Sequence, residues 1–287
     1  MTSLALEFTR PPAALLLEPP VRAALLEDLG RAGDITSELT IPAERFAAAK
    51  LVCRQPGRIA GLIAAEIAFR LAGPSLAFSV VLPDGSDAEA GAILATIEGS
   101  ARSILTAERV ALNFLGHLSG VATATVALVR AVEGTKARIV CTRKTLPGLR
   151  LVEKYAVRCG GGFNHRFGLD DAAMIKDNHI AAAGGIAAAV ARLRASLGHM
   201  VKIELEVDNL AQLEEGLALG VDTILLDNMS LEHLRRAVAV TGGRAILEAS
   251  GNVTLASVKA IADTGVDYIS SGAITHSASN LDVGLDI

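Results

Sequence analysis

The chain has 287 residues, of which 51% are hydrophobic and 20% are charged. Its length is about twice that of a typical single domain, which excludes one small module, and its composition excludes a disordered chain. The net charge is −4, Trp is absent and there are two Tyr residues. This composition argues against a broad nucleic-acid surface, which needs basic patches and stacking aromatic residues.

The cysteines and the N-terminal segment indicate a cytoplasmic protein. Cys53, Cys141 and Cys159 are odd in number and lack the spacing of a zinc site, so we expect reduced thiols packed in the core. Residues 1–20 lack a basic segment ahead of an apolar run, so no signal peptide is predicted. The uncharged stretch 110–129 contains too many polar residues for a good membrane span.

The first hundred residues show α+β patterning. Strands are predicted at 48–53, 77–82 and 93–97, and a helix is predicted at 63–71. Residues 103–133 are predicted to be helical, as two helices that meet near Ser119–Gly120. The first of these carries a polar stripe, which is either solvent-facing or functional and consists of Thr106, Arg109, Asn113 and His117.

The second half alternates between strand and helix patterns. Strands are predicted at 138–142, 173–176, 203–207, 223–226, 245–247 and 268–270. Repeated βα units predict a parallel sheet with right-handed crossovers. Six strands are too few for a closed eight-stranded barrel, so we expect an open, incomplete α/β barrel.

These patterns predict two domains. An N-terminal domain with α+β patterning is expected over residues 1–115, and the barrel, with the active site, over 116–275. The tail 276–287 alternates apolar with polar or small residues, which is typical of a half-buried strand. We expect this tail to pack back onto the N-terminal domain.

Charged and small residues follow the predicted barrel strands, where the functional groups of such folds collect. Taken singly, each has an ordinary structural explanation as a salt-bridge partner, a helix-cap neighbour or a turn residue. Together they match the needs of a phosphorylated, polyanionic substrate with a divalent cation, because arginine and lysine bind anions, Ser-Gly turns bind phosphate and paired carboxylates hold Mg²⁺. In chain order these residues are Arg143, Lys144, His165, Arg166, Lys176, Glu206, Asp227, Ser250, Gly251, Asn252, Ser271 and Gly272.

From Glu27 onward the sequence closely resembles the quinolinate phosphoribosyltransferases, the decarboxylating nicotinate-nucleotide pyrophosphorylases. Nine motifs occur in the family's order: EDLGRAGDIT (27–36), LTAERVALNFLGHLSGVAT (105–123), TRKTLPGLR (142–150), GGGFNHRFGLDD (160–171), MIKDNHI (174–180), ELEVDN (204–209), LLDNM (225–229), EASGN (248–252) and SSGAITHS (270–277). One position departs from the pattern, because Asn252 stands where the family usually has a second glycine. Asn tolerates a left-handed backbone, so we expect the phosphate loop to be kept.

The resemblance implies an N-terminal α/β sandwich joined to an incomplete barrel, and a homodimer with sites between subunits. It also implies that quinolinate and phosphoribosyl pyrophosphate react, with Mg²⁺, to give nicotinate mononucleotide, CO₂ and pyrophosphate in NAD biosynthesis. By motif position, Arg143, His165 and Arg166, with Arg109 from the partner subunit, bind quinolinate. Lys144 and Lys176 contact both substrates, while Glu206 and Asp227 serve the ribose and the metal. The 5′-phosphate residues are Ser250, Gly251, Asn252, Ser271 and Gly272.

Two other functions compete with this interpretation. A Schiff-base aldolase would use Lys176 as its nucleophile, but the surrounding arginine and histidine residues offer no obvious acid-base partner for such a lysine. A transport-associated paralogue of the same fold would bind without turning over quinolinate. The intact KDNHI and TRKT motifs favour the biosynthetic enzyme.

Overall fold

The structure is a computed structural model and describes residues 10–287. The elements of the N-terminal half are α1 (Ala14–Leu29), α2 (Ile35–Thr40), β1 (Phe46–Cys53), β2 (Gly57–Arg58), α3 (Leu62–Ala72), β3 (Ala77–Val80), β4 (Asp87–Ala88), β5 (Ile93–Ser100) and α4 (Ala101–Ala131). Those of the C-terminal half are β6 (Arg138–Val140), α5 (Arg150–Cys159), β7 (Ala173–Ile175), α6 (Asp177–Ala183), α7 (Ile186–Ser196), β8 (Ile203–Val207), α8 (Leu210–Ala218), β9 (Thr223–Asp227), α9 (Leu231–Thr241), β10 (Ile246–Ser250), α10 (Val258–Ala262), β11 (Tyr268–Ser270), α11 (Ala273–His276) and β12 (Val283–Asp286).

The chain forms two compact units. The first comprises residues up to Val126 together with Thr145–Gly161 and Ile274–Ile287, and the second comprises Ala127–Lys144 and Gly162–Ala273. The first unit is therefore built from three separate segments of the chain.

The first unit contains an antiparallel four-stranded sheet, with its strands in the order β12-β1-β5-β3. The C-terminal strand β12 pairs with β1, so that Lys50 lies opposite Asp286 and Cys53 opposite Val283. The alternating pattern of the tail therefore places it at one edge of the N-terminal sheet. Cys53, Cys141 and Cys159 are buried and form no disulfide, as expected.

Helix α4 runs unbroken over 31 residues, so the predicted break near Ser119–Gly120 is wrong. A Cβ atom on Gly120 would lie 2.0 Å from the carbonyl oxygen of Ser279, and one on Gly116 would lie 2.9 Å from that of Leu281. The glycines that suggested a break instead let the C-terminal segment lie directly against the helix. An 18-residue window of α4 has a mean hydropathy of 1.5, enough to cross a membrane by length and composition, but 67% of it is buried, as in the core helix of a soluble protein.

Of the four side chains in the polar stripe on α4, two make contacts within the chain and two are exposed. The Thr106 hydroxyl donates to Asp34 Oδ2 at 3.1 Å, and His117 Nε2 lies 2.8 Å from Glu153 Oε1. The other oxygen of the fully buried Glu153 accepts the Leu146 N–H at 3.1 Å, which fixes the segment after β6. Arg109 and Asn113 are exposed in the single chain.

Six parallel strands form the sheet of the second unit, in the order β6-β11-β10-β9-β8-β7. β6 and β7 are the edges of this sheet, so the predicted open α/β barrel is confirmed. Phe163 makes an isolated parallel bridge with Val140 of β6, and its N–H donates to the Ile139 carbonyl at 2.8 Å. This bridge places the residues that follow Phe163 at the carboxyl end of the sheet.

Candidate active site

A cavity of about 490 Å³ lies at the carboxyl ends of the parallel strands. Its volume is within the usual range for small-molecule sites, and its position is that of the active site in α/β barrels. The candidate residues from the sequence that line it are Arg143, Lys144, His165, Arg166, Lys176, Glu206, Asp227, Ser250, Gly251 and Asn252. The structure therefore brings together residues from five strand ends and one loop.

Three candidates do not line this cavity. Arg109 belongs to the first unit and is exposed on α4. Ser271 is buried, and its N–H donates to the Val140 carbonyl at 3.0 Å as part of the pairing between β11 and β6. Gly272 packs against the Lys144 side chain, since a Cβ atom there would lie 2.9 Å from its Cδ. At this strand end the cavity is lined by Ser270 instead.

Positive charge is concentrated in the cavity, which includes Arg143, Lys144, Arg166 and Lys176. Burial lowers the pKa of Arg166, and the neighbouring charge of Arg143 lowers it further. Two guanidinium groups that repel each other bind an anion favourably, because the anion offsets both the repulsion and the lost solvation. A ligand with two carboxylates suits this arrangement.

Glu206 and Asp227 bring two carboxylates into the same cavity from the adjacent strands β8 and β9. The Lys176 ammonium forms a short salt bridge with Glu206 Oε2, and Asp227 Oδ2 accepts a hydrogen bond from Asn228 Nδ2 at 2.8 Å. Mg²⁺ commonly uses one or two protein carboxylates and completes its shell with water and substrate oxygens. The donor set therefore fits Mg²⁺.

The turn after β10 has the conformation expected of a phosphate loop. Gly251 has a φ of +101°, and a Cβ atom there would lie 2.1 Å from Asn228 Oδ1. Asn252 adopts a left-handed φ of 50°, as predicted from its side chain, and its Nδ2 donates to Asn228 Oδ1 at 3.2 Å. Asn228 also has a φ of 50°, so both asparagines serve a tight turn that larger side chains would strain.

A second layer of the barrel interior contains two acidic residues that were not among the sequence candidates, Glu204 on β8 and Glu248 on β10. His165 Nε2 lies 2.8 Å from Glu204 Oε2 and 3.8 Å from Glu248 Oε2. Within residues 10–287 these three form the one cluster of at least three potential metal ligands. Alternation along a strand could have found them, since Glu204 and Glu248 lie two residues before Glu206 and Ser250 and therefore face the same way.

Burial raises the pKa of Glu248 to about 7, and the negative charge of Glu204 adds to this effect. His165 acts against the shift. The imidazole Nδ1 accepts the Arg166 N–H at 2.7 Å, so the tautomer with a proton on Nε2 satisfies both ring nitrogens. The cavity is thus lined by a carboxyl group that keeps its proton to a higher pH than an ordinary glutamate does.

An open α/β barrel with cationic side chains, paired carboxylates and a tight Ser-Gly-Asn turn at its carboxyl end fits the class of enzymes that act on phosphorylated, anionic substrates. Two protein-family models match nearly the whole chain. The model for the N-terminal domain of quinolinate phosphoribosyl transferase matches residues 34–119, and that for the C-terminal domain matches residues 121–286. The chain belongs to the quinolinate phosphoribosyltransferase family, and it is an enzyme.

Individual relatives agree with this assignment. The chain is 46% identical to a nicotinate-nucleotide pyrophosphorylase (carboxylating) of Mycobacterium leprae, with 93% of this chain and 95% of the relative covered. It is 42% identical to quinolinate phosphoribosyltransferase (decarboxylating) 1b of Nicotiana tabacum, with 94% and 82% covered. The solved nicotinate-nucleotide pyrophosphorylase of Francisella tularensis superposes with a TM-score of 0.92 at 41% identity, covering 97% of this chain and 98% of that one. Such crystallised relatives indicate a soluble protein.

Proposed function

We propose that the protein transfers the phosphoribosyl group of phosphoribosyl pyrophosphate to the ring nitrogen of quinolinate and removes the adjacent carboxylate as CO₂. The products are nicotinate mononucleotide and pyrophosphate, and the reaction belongs to NAD biosynthesis. The observation that carries the proposal is the single cavity that joins the Arg143–Arg166 pair to the Lys176–Glu206 pair. The family assignment supports the same reaction.

Arg143 and Arg166 bind the two carboxylates of quinolinate in this proposal. A planar guanidinium group can form two parallel hydrogen bonds to a carboxylate, which fixes the plane of the pyridine ring as well as its position. His165 lines the same wall, but its ring nitrogens contact the Arg166 N–H and Glu204. Direct contact between His165 and a carboxylate therefore requires one of those hydrogen bonds to break.

The sugar pyrophosphate occupies the opposite part of the cavity. Lys144 and Lys176 face its pyrophosphate, and the 5′-phosphate lies at the turn Ser250–Gly251–Asn252. Ser271 and Gly272, which do not line the cavity, support the neighbouring strand end. Exposed N–H groups in such a turn attract phosphate oxygens. Asn228 supports this turn, because both of its side-chain ends are used within the site.

Departure of pyrophosphate leaves positive charge on the anomeric carbon and its ring oxygen. Glu206 and Asp227 stabilise that charge as it develops, which is the kind of fixed electrostatic stabilisation that lowers the barrier most. The quinolinate nitrogen, oriented by the two arginines, then attacks the anomeric carbon. The ring nitrogen becomes cationic, so the neighbouring carbon can release CO₂ while the electron pair left behind is stabilised as an ylide.

Mg²⁺ is the proposed cofactor, held by Glu206 and Asp227 partly through water or substrate oxygens. When bound, it supplies Lewis-acid neutralisation of the charge on pyrophosphate. The salt bridge between Lys176 and Glu206 must rearrange for Glu206 to contact the ion. Lys176 is then free to turn toward the leaving group.

The proposed assembly is a cytoplasmic homodimer whose sites are shared between subunits, without nucleic-acid or membrane partners. Arg109 is exposed in the single chain on a helix with many buried apolar residues, so a second copy could cover it. In that arrangement Arg109 adds a third guanidinium group to the quinolinate site of the partner subunit.

The test is an assay of nicotinate mononucleotide formation from quinolinate and phosphoribosyl pyrophosphate, with Mg²⁺ and after its removal by a chelator. We expect turnover with stoichiometric CO₂ and pyrophosphate, and loss of turnover on chelation that added Mg²⁺ restores. Absence of product under these conditions would refute the proposal. The aldolase alternative predicts covalent trapping of Lys176 by borohydride, whereas the proposed function predicts none, since Lys176 forms a salt bridge with Glu206.

A further inference from the structure

The buried cluster of His165, Glu204 and Glu248 lies in the second unit, one layer below the carboxylates that serve the ribose. The Glu204 side chain is 10% exposed and that of Glu248 is 5% exposed. Glu204 Oε1 is buried without a hydrogen-bond partner, whereas Glu248 has the Ser270 hydroxyl and the Lys176 charge nearby, and both lower its pKa. Unpartnered buried carboxylate oxygens are costly, so their presence calls for a functional explanation.

The charges around the cluster favour retention of a proton. Two ionised carboxylates side by side would place like charges in a buried space, which is expensive. Arg166 interacts with Glu204, and Lys176 interacts with Glu248. These two cations compensate only part of the charge, because each also faces the anion-binding cavity. A proton on the cluster relieves the rest.

The reaction proposed above requires one proton at a defined point. Loss of CO₂ leaves an electron pair on a ring carbon, and a new C–H bond must form there to give nicotinate mononucleotide. Until this carbon is protonated, the electron pair can recombine with CO₂. A proton donor beside the ring therefore commits the enzyme to product.

We propose that Glu248 is the general acid that protonates the ring carbon vacated by CO₂. The O–H bond of its carboxylic acid breaks as the ring electron pair forms the C–H bond, and the carboxylate that results takes up a proton from solvent before the next turnover. His165 and Glu204 lie beside this donor, with His165 Nε2 at 3.8 Å from Glu248 Oε2. This inference rests on the proposed function and assigns the proton source for it.

The other groups in the cavity are less suited to this step. The His165 nitrogens are both engaged by Glu204 and by the Arg166 N–H. Arg143 and Arg166 are much too basic to give up a proton readily, and the ammonium groups of lysines such as Lys144 and Lys176 are ordinarily far weaker acids than a carboxylic acid. Glu248 lines the cavity, and burial with Glu204 nearby raises its pKa to about 7, which suits an acid at neutral pH.

The test is single-turnover analysis of Glu248→Gln, with pyrophosphate and nicotinate mononucleotide measured separately. The amide keeps the shape of the side chain but cannot act as the acid. We expect product formation to fall by about 10²–10⁴-fold, the range for a lost general acid, while pyrophosphate release falls by less than tenfold. The N-ribosylated quinolinate should then accumulate. Equal slowing of both steps, or of neither, overturns the proposal.

Two further variants and the native enzyme complete the experiment. Glu248→Asp keeps an acid and should restore part of product formation, whereas Glu232→Gln, on the exposed face of α9, should behave as native. If Glu248→Gln does not fold, the native enzyme still gives a result. Its ratio of product formation to pyrophosphate release should fall as pH rises through about 7, the pKa of Glu248, because the acid form is lost, and a constant ratio refutes the inference. A native enzyme that forms no nicotinate mononucleotide at all refutes the proposed function instead.

Discussion

At the scale of single residues, the carboxylates at the carboxyl end of the barrel lie in two layers. Glu206 and Asp227 stand at strand ends, where function is expected, and both line the cavity. Glu204 and Glu248 lie deeper in β8 and β10, where a carboxylate is ordinarily unexpected. Alternation places them on the inner face, but their contact with His165 depends on the tertiary fold.

We predict that Glu206→Ala and Asp227→Ala each lower kcat by about 10²-fold or more, the scale for removal of one electrostatic stabiliser. KM for both substrates should change much less, because these carboxylates act on charge that develops after binding. Steady-state kinetics will test this, with Glu214→Ala on the exposed side of α8 as control. An effect confined to KM would instead assign these carboxylates to substrate binding.

The phosphate turn allows a second prediction at this scale. Gly251→Ala should weaken binding of phosphoribosyl pyrophosphate at least tenfold, because its Cβ atom would lie 2.1 Å from Asn228 Oδ1 at a φ of +101°. Gly265→Ala is the matched control, since its φ is +90° but its Cβ atom would lie 3.5 Å from its nearest neighbour. Titration calorimetry will compare the two variants. Similar losses in both would mean that backbone strain, and not the phosphate turn, is responsible.

At the scale of elements, the parallel strands were the most predictable feature. The predicted strands 203–207 and 268–270 match β8 and β11, whereas the strand predicted at 245–247 extends over Ile246–Ser250. The predicted and observed bounds of this strand differ because Glu248 and Ser250 interrupt the apolar pattern, although both residues pair in the sheet. The two polar residues therefore made the predicted strand end too early, before Glu248 and Ser250.

The prediction for α4 was wrong in the other direction. The low helix propensity of glycine suggested a break, but the helix is continuous. Glycine weakens a helix by about 1 kcal/mol relative to alanine, yet Gly116 and Gly120 lie within α4. Their purpose is close packing against residues 279–281 of the C-terminal segment. That contact joins parts of the chain far apart in sequence, so no local pattern could reveal it.

We predict that Gly120→Ala destabilises the protein even though alanine is the better helix former. The added Cβ atom would lie 2.0 Å from the Ser279 carbonyl oxygen, so the backbone must move. Overpacking of this kind costs about 1–3 kcal/mol, and a thermal melt should show a Tm lower by several degrees. Glu214→Ala, at an exposed position of α8, should leave Tm nearly unchanged. A Tm of Gly120→Ala at or above the native value would contradict the packing explanation.

At the scale of the whole molecule, the chain does not divide at a single boundary. Residues 145–161 and 274–287 belong to the first compact unit, although in the sequence they follow segments of the second unit directly. The sequence predicted such a return for the tail, whose alternation marks a strand. It gave no sign of one for α5, because a helix that follows a strand is read as part of a βα unit.

The last prediction concerns the proposed sharing of sites in a dimer. The polar stripe on α4 suggested an arginine that needs an anionic partner, and the structure shows that Arg109 is exposed in the single chain. It does not line the cavity of the second unit, whereas Lys176 does. If the dimer brings Arg109 to the partner's site, Arg109→Ala and Lys176→Ala subunits can complement each other.

Each of these variants should be inactive alone, because every site in such a dimer carries one lesion. In a mixed dimer one site carries both lesions and the other carries neither. Random reassortment at a 1:1 ratio makes half of the dimers mixed, each with one good site of two, so about a quarter of native activity should return. Subunit exchange is followed independently by differently tagged chains. If the tags mix and no activity returns, Arg109 acts within its own subunit and the two sites of the dimer are separate.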